Sequence, residues 1–311
     1  MNSLSTYKRY HIVYKNFIKV MLNLYFHKGA IDVTLKNGQK EKLTPMQVYL
    51  LSILIAEKKI NIEKAINYFK QDLEPLSAYA FALLVNKGLD TEKALNFVNE
   101  EKLPYLDKTV IMHGLRRYGS GIETFIDEDY KFLKVSNETV IDIGANVGDT
   151  PIYFALKGAK KVIALEPDFN YFTIANLNIK ENNLNSKIVL LRAEYSKKRN
   201  KFRGSRSEQQ ESENGGKIKV YSLETLTREF NISEAILKVD CEGCEYNILK
   251  EKNDVLKKFK QIEIEYHYGF RKIKEKLEEV GFEVTFTKPI KSYGNNFFKP
   301  IKVGYIYAEF K

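Results

Sequence analysis

Acids and a histidine gather at the ends of two apolar runs. Asp240, Glu242 and Glu245 lie in Leu237-Lys-Val-Asp-Cys-Glu-Gly-Cys-Glu-Tyr, and Glu265 and His267 end Gln261-Ile-Glu-Ile-Glu-Tyr-His. Side chains of this kind take the proton from a hydroxyl that is about to act as a nucleophile. His267 titrates nearest neutrality and is the first candidate for that base, with Asp240 next as base or orienting group. Glu242, Glu245 and Glu265 complete the candidate catalytic set, although Glu245 also suits the first turn of a helix, where the dipole favours an acid. A third stretch, Thr139-Val-Ile-Asp-Ile-Gly-Ala-Asn-Val-Gly-Asp-Thr-Pro151, passes from an apolar run through a glycine turn into a helical pattern. Pro151 suits the helix start, where its missing N–H costs nothing. Gly144 and Gly148 would let backbone approach a ligand closely, beside the free N–H groups of a helix N-terminus.

The ligand follows from the details of that turn. A dinucleotide fingerprint asks for Gly-x-Gly-x-x-Gly, whereas Asn146 stands at the second glycine position. Asp142, just before the turn, would repel a pyrophosphate but welcome the ammonium and sulfonium of S-adenosylmethionine (SAM). A second strand, Lys161 to Glu166, ends in an acid suited to a ribose diol. Gly144, Ala145, Asn146, Gly148, Asp149 and Pro167 complete the cofactor-binding candidates of this region. A third strand over Lys187 to Glu194 would bring the Ala193 backbone and the Glu194 side chain to the adenine.

Three separated segments, Asp142-Ile-Gly-Ala-Asn-Val-Gly, Leu165-Glu-Pro-Asp and Leu237-Lys-Val-Asp-Cys-Glu-Gly-Cys-Glu-Tyr, resemble the FkbM family of SAM-dependent methyltransferases, over roughly residues 109–311. The resemblance implies a class I, Rossmann-like methyltransferase fold, an α/β architecture with a seven-stranded mixed sheet. It also implies SAM as donor and O-methylation of a sugar, glycan or related hydroxyl. It implies that Asp240, at the end of the fourth strand, faces the transferable methyl of the cofactor, and it supports Asp240, Glu242, Gly243 and Glu245 as a group without assigning the base. Alternatives are a methyltransferase acting on RNA or protein and, in other classes, an NAD-dependent oxidoreductase or a non-catalytic SAM-binding protein. Nucleobase amino-methylating enzymes carry Asp/Asn-Pro-Pro-aromatic after the fourth strand, and here Asp240-Cys-Glu-Gly stands instead.

The elements that must position these residues divide the chain at about residue 105. Residues 1–105 read as a β-hairpin turning at Asn37-Gly38, followed by a helical bundle over 44–102. That bundle starts at Thr44-Pro45, with Val48, Leu51 and Ile55 on the apolar face. Asn61 to Phe69 and Asp90 to Val98 repeat one amphipathic pattern. Residues 17–26 are amphipathic and suit either packing on the domain or lying on a membrane, packing being preferred. Residues 106–311 read as the SAM-binding domain. Glu123 to Leu133 looks helical, with His113 and Tyr130 as further site candidates for which a core role is preferred. Residues 196–217 read as a flexible insertion, a solvated loop being preferred; the alternative is that its cations, Lys197, Lys198, Arg199, Lys201, Arg203 and Arg206, recruit an anionic acceptor. Strands over 235–240 and 261–269, a helix over 245–249, a helix over 271–280 and a closing antiparallel pair complete the domain.

A formal charge of +10 invites nucleic acid as a partner, but the cations are mostly lysine, and guanidinium is the preferred bidentate phosphate ligand. A hydroxyl acceptor, small or glycan, is the expected partner. Cys241 and Cys244 have no second cysteine pair to complete a structural zinc site. Packing is preferred for them over a disulfide, and no metal ligands are assigned. No run approaches the ~20 apolar residues of a membrane helix, and the first residues do not read as a signal peptide. A cytoplasmic location is expected.

Overall fold

The computed structural model describes residues 6–26, 29–56, 61–69, 81, 84–85, 94, 98, 101–114, 121–196, 218–292 and 301–311. Residues 1–110 with 114–122 form one compact unit, and residues 111–113 with 123–311 form a second.

The first unit opens with helices α1 (Thr6–Val13) and α2 (Phe17–Phe26), then strands β1 (Ile31–Thr34) and β2 (Lys40–Leu43). The two strands pair antiparallel, Ile31 opposite Leu43, around the Asn37-Gly38 turn. Alternation buries Ile31 and Val33 and leaves Asp32 in solvent. Helix α3 (Pro45–Ala56) begins at a capping box: Gln47 N–H donates to Thr44 Oγ1 at 3.2 Å, and Thr44 N–H donates to Gln47 Oε1 at 2.9 Å. Its buried face runs through Val48, Leu51 and Leu54, so Ile55 is only half-buried. Helix α4 (Ile62–Phe69) realises the first of the two similar stretches; the second lies outside the described residues apart from Ala94 and Val98. Strands β3 (Lys102–Tyr105) and β4 (Lys108–Ile111) pair in a small sheet.

The second unit is built on one mixed sheet. Its strands in chain order are β5 (Thr139–Ile143), β6 (Lys161–Leu165), β7 (Ile188–Leu191), β10 (Ala235–Val239), β11 (Phe259–Tyr266), β12 (Phe282–Phe286) and β14 (Ile301–Phe310). In space they run β12-β14-β11-β10-β5-β6-β7, with β13 (Ile290–Ser292) added beside β14. The neighbours from β7 to β11 are parallel, while β14 runs antiparallel to β11 and β12. This is the class I methyltransferase order. The buried runs Val140–Ile141 and Ala235–Val239 are apolar, Lys238 excepted, because helices cover both sides of the parallel part. Helices α5 (Asp149–Leu156), α6 (Phe169–Glu181), α7 (Leu223–Glu229), α8 (Asn253–Leu256) and α9 (Arg271–Val280) supply that cover.

Four local expectations change. The third strand stops at Leu191, and Ala193–Tyr195 forms a separate strand, β8, paired in parallel with β9 (Lys219–Tyr221). Only Ile122–Ile126 of the 123–133 stretch is helical, as one π-turn, and the remainder is turn. The expected helix at 245–249 is a 3-10 segment, Cys244–Lys250. Helix α5 starts at Asp149 after a Gly148 cap, which puts Pro151 in the third helical position, still among the N–H groups that lack intrahelical acceptors.

Candidate active site

The strand order reverses between β5 and its neighbours β6 and β10, and in open α/β sheets that switch point marks the ligand crevice at the strands' carboxyl ends. Asp142 is fully buried there, with Thr150 Oγ1 donating to its Oδ2 at 2.6 Å and Lys238 Nζ standing 3.0 Å from its Oδ1. Lys238 Nζ also donates to the Gly144 carbonyl at 2.7 Å. The register explains the meeting, since Lys238 lies directly opposite Asp142 in the parallel β5–β10 ladder. Burial by itself would lower the Lys238 pKa, but Asp142 and Asp240 outweigh it and hold it raised, so the ammonium stays charged. The carboxylate of Asp142 thus already meets a cation of the chain's own, Lys238.

The glycines also have a packing duty within the fold. Gly144 has φ +83°, and a Cβ there would collide with the Asp240 carbonyl. Gly148 has φ +89°, and its Cβ would press on Ala175 of α6 at 3.1 Å. Both glycines let protein backbone approach protein backbone, which fixes the turn between β5, β10 and α6. Ala145 is buried, and its N–H and that of Gly144 donate to the Leu165 carbonyl. Asn146 sits in the left-handed region at φ 47° and donates its N–H to Glu166 Oε2 at 2.9 Å. Glu166 Oε1 accepts from Asp168 N–H, and burial raises the Glu166 pKa to about 7. Each oxygen keeps a lone pair for a ribose hydroxyl. Pro167 follows Glu166 half-buried at the same edge. Asp149 is buried and accepts from Thr124 Oγ1 at 2.5 Å. Ala193 is buried in β8 with Glu194 half-buried beside it.

The catalytic candidates form a second layer. Alternation along β10 and β11 aligns Lys238 with Glu263, opposite each other in the ladder, and carries the same sheet face on to Asp240, Glu265 and His267. Tyr130 donates its hydroxyl to Asp240 Oδ2 at 3.2 Å, and its ring lies 5.4 Å from Lys238 Nζ. Glu245 is fully buried and holds a cluster of donors: Gly243 N–H at 2.6 Å on Oε2, and His267 N–H and Nδ1 at 3.1 Å each on Oε1. It braces both the histidine and, through the Gly243 N–H, the start of its own 3-10 segment. His267 Nε2 faces Glu265 Oε1 at 3.9 Å. Burial would lower the His267 pKa, but Glu245, then Asp240 and Glu242, outweigh it and leave it raised. Burial, then Asp240 and Glu123, push Glu265 well above the usual carboxylate range.

Glu242 is exposed with a left-handed backbone, φ 49°, between two cysteines. Cys241 and Cys244 form a disulfide, against the packing expectation, because the turn brings their Cα atoms to 5.5 Å. Asp240, Glu265 and His267 bring one ligand atom each within 4.8 Å of one another, a set placed to hold a metal ion where no metal ligands had been assigned. His113 is held away from this layer: its N–H donates to Asn178 Oδ1, and its Nε2 pairs with Glu181 Oε2 at 2.7 Å. The cations of 197–206 lie outside the described residues.

Sequence reasoning missed Lys238, Thr150, Glu123 and Glu263. Glu123 is exposed, with Asp129 and Asp240 near it, while Glu263 is fully buried with neither oxygen hydrogen-bonded, and burial raises its pKa to about 9. One signal was legible: a lysine inside the apolar run Ala235-Ile-Leu-Lys-Val demands a buried partner.

A carboxyl-lined cleft over the switch point of this sheet, together with the family match of residues 142–284, marks a SAM-dependent methyltransferase. More particularly, residues 142–284 match the Methyltransferase FkbM domain family, and the chain carries an FkbM methyltransferase domain over that stretch. No curated protein matches the chain. Solved structures similar to it include TYW2 of M. jannaschii in complex with AdoMet, at 16% identity and TM-score 0.41, covering 68% of this chain and 85% of that one. Precorrin-6y C5,15-methyltransferase of Geobacter metallireducens GS-15 is 16% identical at TM-score 0.38, covering 62% and 91%. The O-methyltransferase of Bacillus cereus in complex with SAH is 16% identical at TM-score 0.34, covering 56% and 74%. At these values the likeness is one of general outline.

Proposed function

We propose that the enzyme O-methylates a hydroxyl of a sugar, glycan or related small molecule, with His267 as general base and Glu245 as its positioning residue. The supporting observation is the buried Glu245–His267 pair: Glu245 Oε1 receives Nδ1 at 3.1 Å, which leaves Nε2 facing Asp240 and Glu265. A hydroxyl must lose its proton as the new carbon–oxygen bond forms, and an imidazole held in one tautomer by a carboxylate is suited to take it. Bound in the cleft, SAM supplies the electrophilic methyl group. Glu166 and the Gly144–Gly148 turn are the proposed holders of its ribose and amino acid ends. Asp142 with Lys238 keeps that turn in shape, and Asp149, Pro167, Ala193 and Glu194 flank the proposed nucleoside pocket. Asp240 orients the acceptor, with Tyr130 donating to it.

The carboxyl-lined cleft, with Asp240 and Glu265 on one sheet face, offers hydrogen-bond partners to the hydroxyls of a neutral polyol, which favours such an acceptor. We further propose a cytoplasmic location; no helix among the described residues is long and apolar enough to cross a membrane. The test is transfer of labelled methyl from SAM to a panel of sugars and polyols, beside RNA and protein fractions. Methyl ethers on a sugar are expected, and His267→Asn lowers kcat by roughly 10²- to 10⁴-fold while S-adenosylhomocysteine affinity holds. Label recovered only in RNA or protein, or an unchanged rate in the variant, overturns the reading.

A further inference from the structure

We infer that the first unit docks on an anionic lipid bilayer through one face of α2. This helix has two apolar sides. Val20 is fully buried and ties one side to the unit's own core, while Ile18, Leu22 and Tyr25 are 62%, 53% and 59% exposed. Their spacing of four and three residues aligns them in one solvent-facing stripe. Ile12, near the end of α1, is exposed as well.

The charge around the stripe selects the partner. Lys19 is exposed on α2 and Lys15 precedes it, and with Asn16, Phe17, Ile18 and Leu22 they line a shallow depression of about 450 Å³. No Asp or Glu occurs before Asp32, whereas Lys8, Arg9, Lys15, Lys19 and Lys28 all do. A protein surface offered to another protein carries no such one-sided requirement; phosphate headgroups above acyl chains match both the apolar stripe and the cations. At 1.5 Å per residue α2 is roughly 15 Å long, half the ~30 Å hydrocarbon thickness, so it lies in the interface plane and does not cross it. This inference stands on the first unit alone and is independent of the acceptor.

The test is co-sedimentation of the full-length protein with vesicles of phosphatidylcholine, alone or mixed with phosphatidylglycerol. The wild type is expected to pellet with the anionic vesicles, less so as salt rises, and to stay in solution with the neutral ones. Each surface cation contributes about a factor of five to partitioning, so Lys15→Glu/Lys19→Glu lowers it by at least ~30-fold. Ile18→Ser/Leu22→Ser abolishes it at the same lipid concentration. S-adenosylhomocysteine affinity and the far-UV circular dichroism melt of both variants are expected to match wild type, because the four side chains are exposed. No vesicle binding, equal binding to neutral vesicles, or binding unchanged by the charge-reversed variant overturns the inference. So does concentration-dependent dimerisation without vesicle binding that the Ser variant removes, which would assign the face to a second copy of this chain.

Discussion

Replacing Lys238 with methionine removes the cation that sits between Asp142 and the Gly144 carbonyl, 3.0 Å and 2.7 Å away, at a site with no access to water. Breaking a buried pair by deleting one partner costs about 3–5 kcal/mol, because the other charge stays buried and uncompensated. Thr150 still donates to Asp142, which keeps the expectation nearer the lower figure. At about 2–4 °C per kcal/mol for a unit of this size, the second unit should melt roughly 6–15 °C lower. The chain has no tryptophan, so urea and thermal unfolding are followed by circular dichroism. The Lys238→Met/Asp142→Asn double variant should recover about 1–3 kcal/mol of the loss, the coupling range for groups in contact. Burial raises the Asp142 pKa in the folded state. Without Lys238 that rise grows, so the single variant should lose least at acid pH, where Asp142 binds a proton, and most above neutrality. S-adenosylhomocysteine affinity should fall in parallel, since the turn loses its internal clamp. A loss below 1 kcal/mol, or a double variant no more stable than the single, would refute the view that this pair holds the turn.

Three further outcomes follow from the same geometry. Glu263 has its folded pKa raised to about 9 by burial, so keeping its proton opposes folding increasingly as pH climbs from the unfolded value toward 9. Glu263→Gln should therefore be more stable than wild type by about 3–5 kcal/mol at pH 8 and by little at pH 4, read from urea midpoints at both pH values. Glu166, raised to about 7, accepts ribose hydroxyls best when ionised, so calorimetric S-adenosylhomocysteine affinity should weaken as pH drops through 7. Glu166→Gln should bind more weakly and flatten that dependence; a pH slope kept in full would show that Glu166 is not its source. Gly144→Ala should destabilise by at least ~2 kcal/mol, because the added Cβ meets the Asp240 carbonyl and the backbone is left-handed, and a melt within 2 °C of wild type would show that the two strands separate readily.

The strand segments and the glycine turn are legible in the sequence because they rest on local rules, whereas the mixed sheet follows from the family resemblance. Apolar runs of strand length, the Gly144–Gly148 turn and a helical period after Pro151 each encode structure within a dozen residues. The acids and histidine of the candidate site were legible as types at strand ends. Their partners were not. Lys238 meets Asp142, Glu245 meets His267 and Tyr130 meets Asp240 only through ladder register and chain crossings between residues 22 to 110 positions apart. The break at Arg192, which sends Ala193–Tyr195 to pair with Lys219–Tyr221, was likewise invisible to a periodicity that reads straight through it. Sequence thus determined which residues carry charge and which segments carry regular structure. Tertiary structure decided which charges are buried, which are neutralised by the chain itself and which face the cleft, because burial and Coulomb energy depend on distance in space and not along the chain.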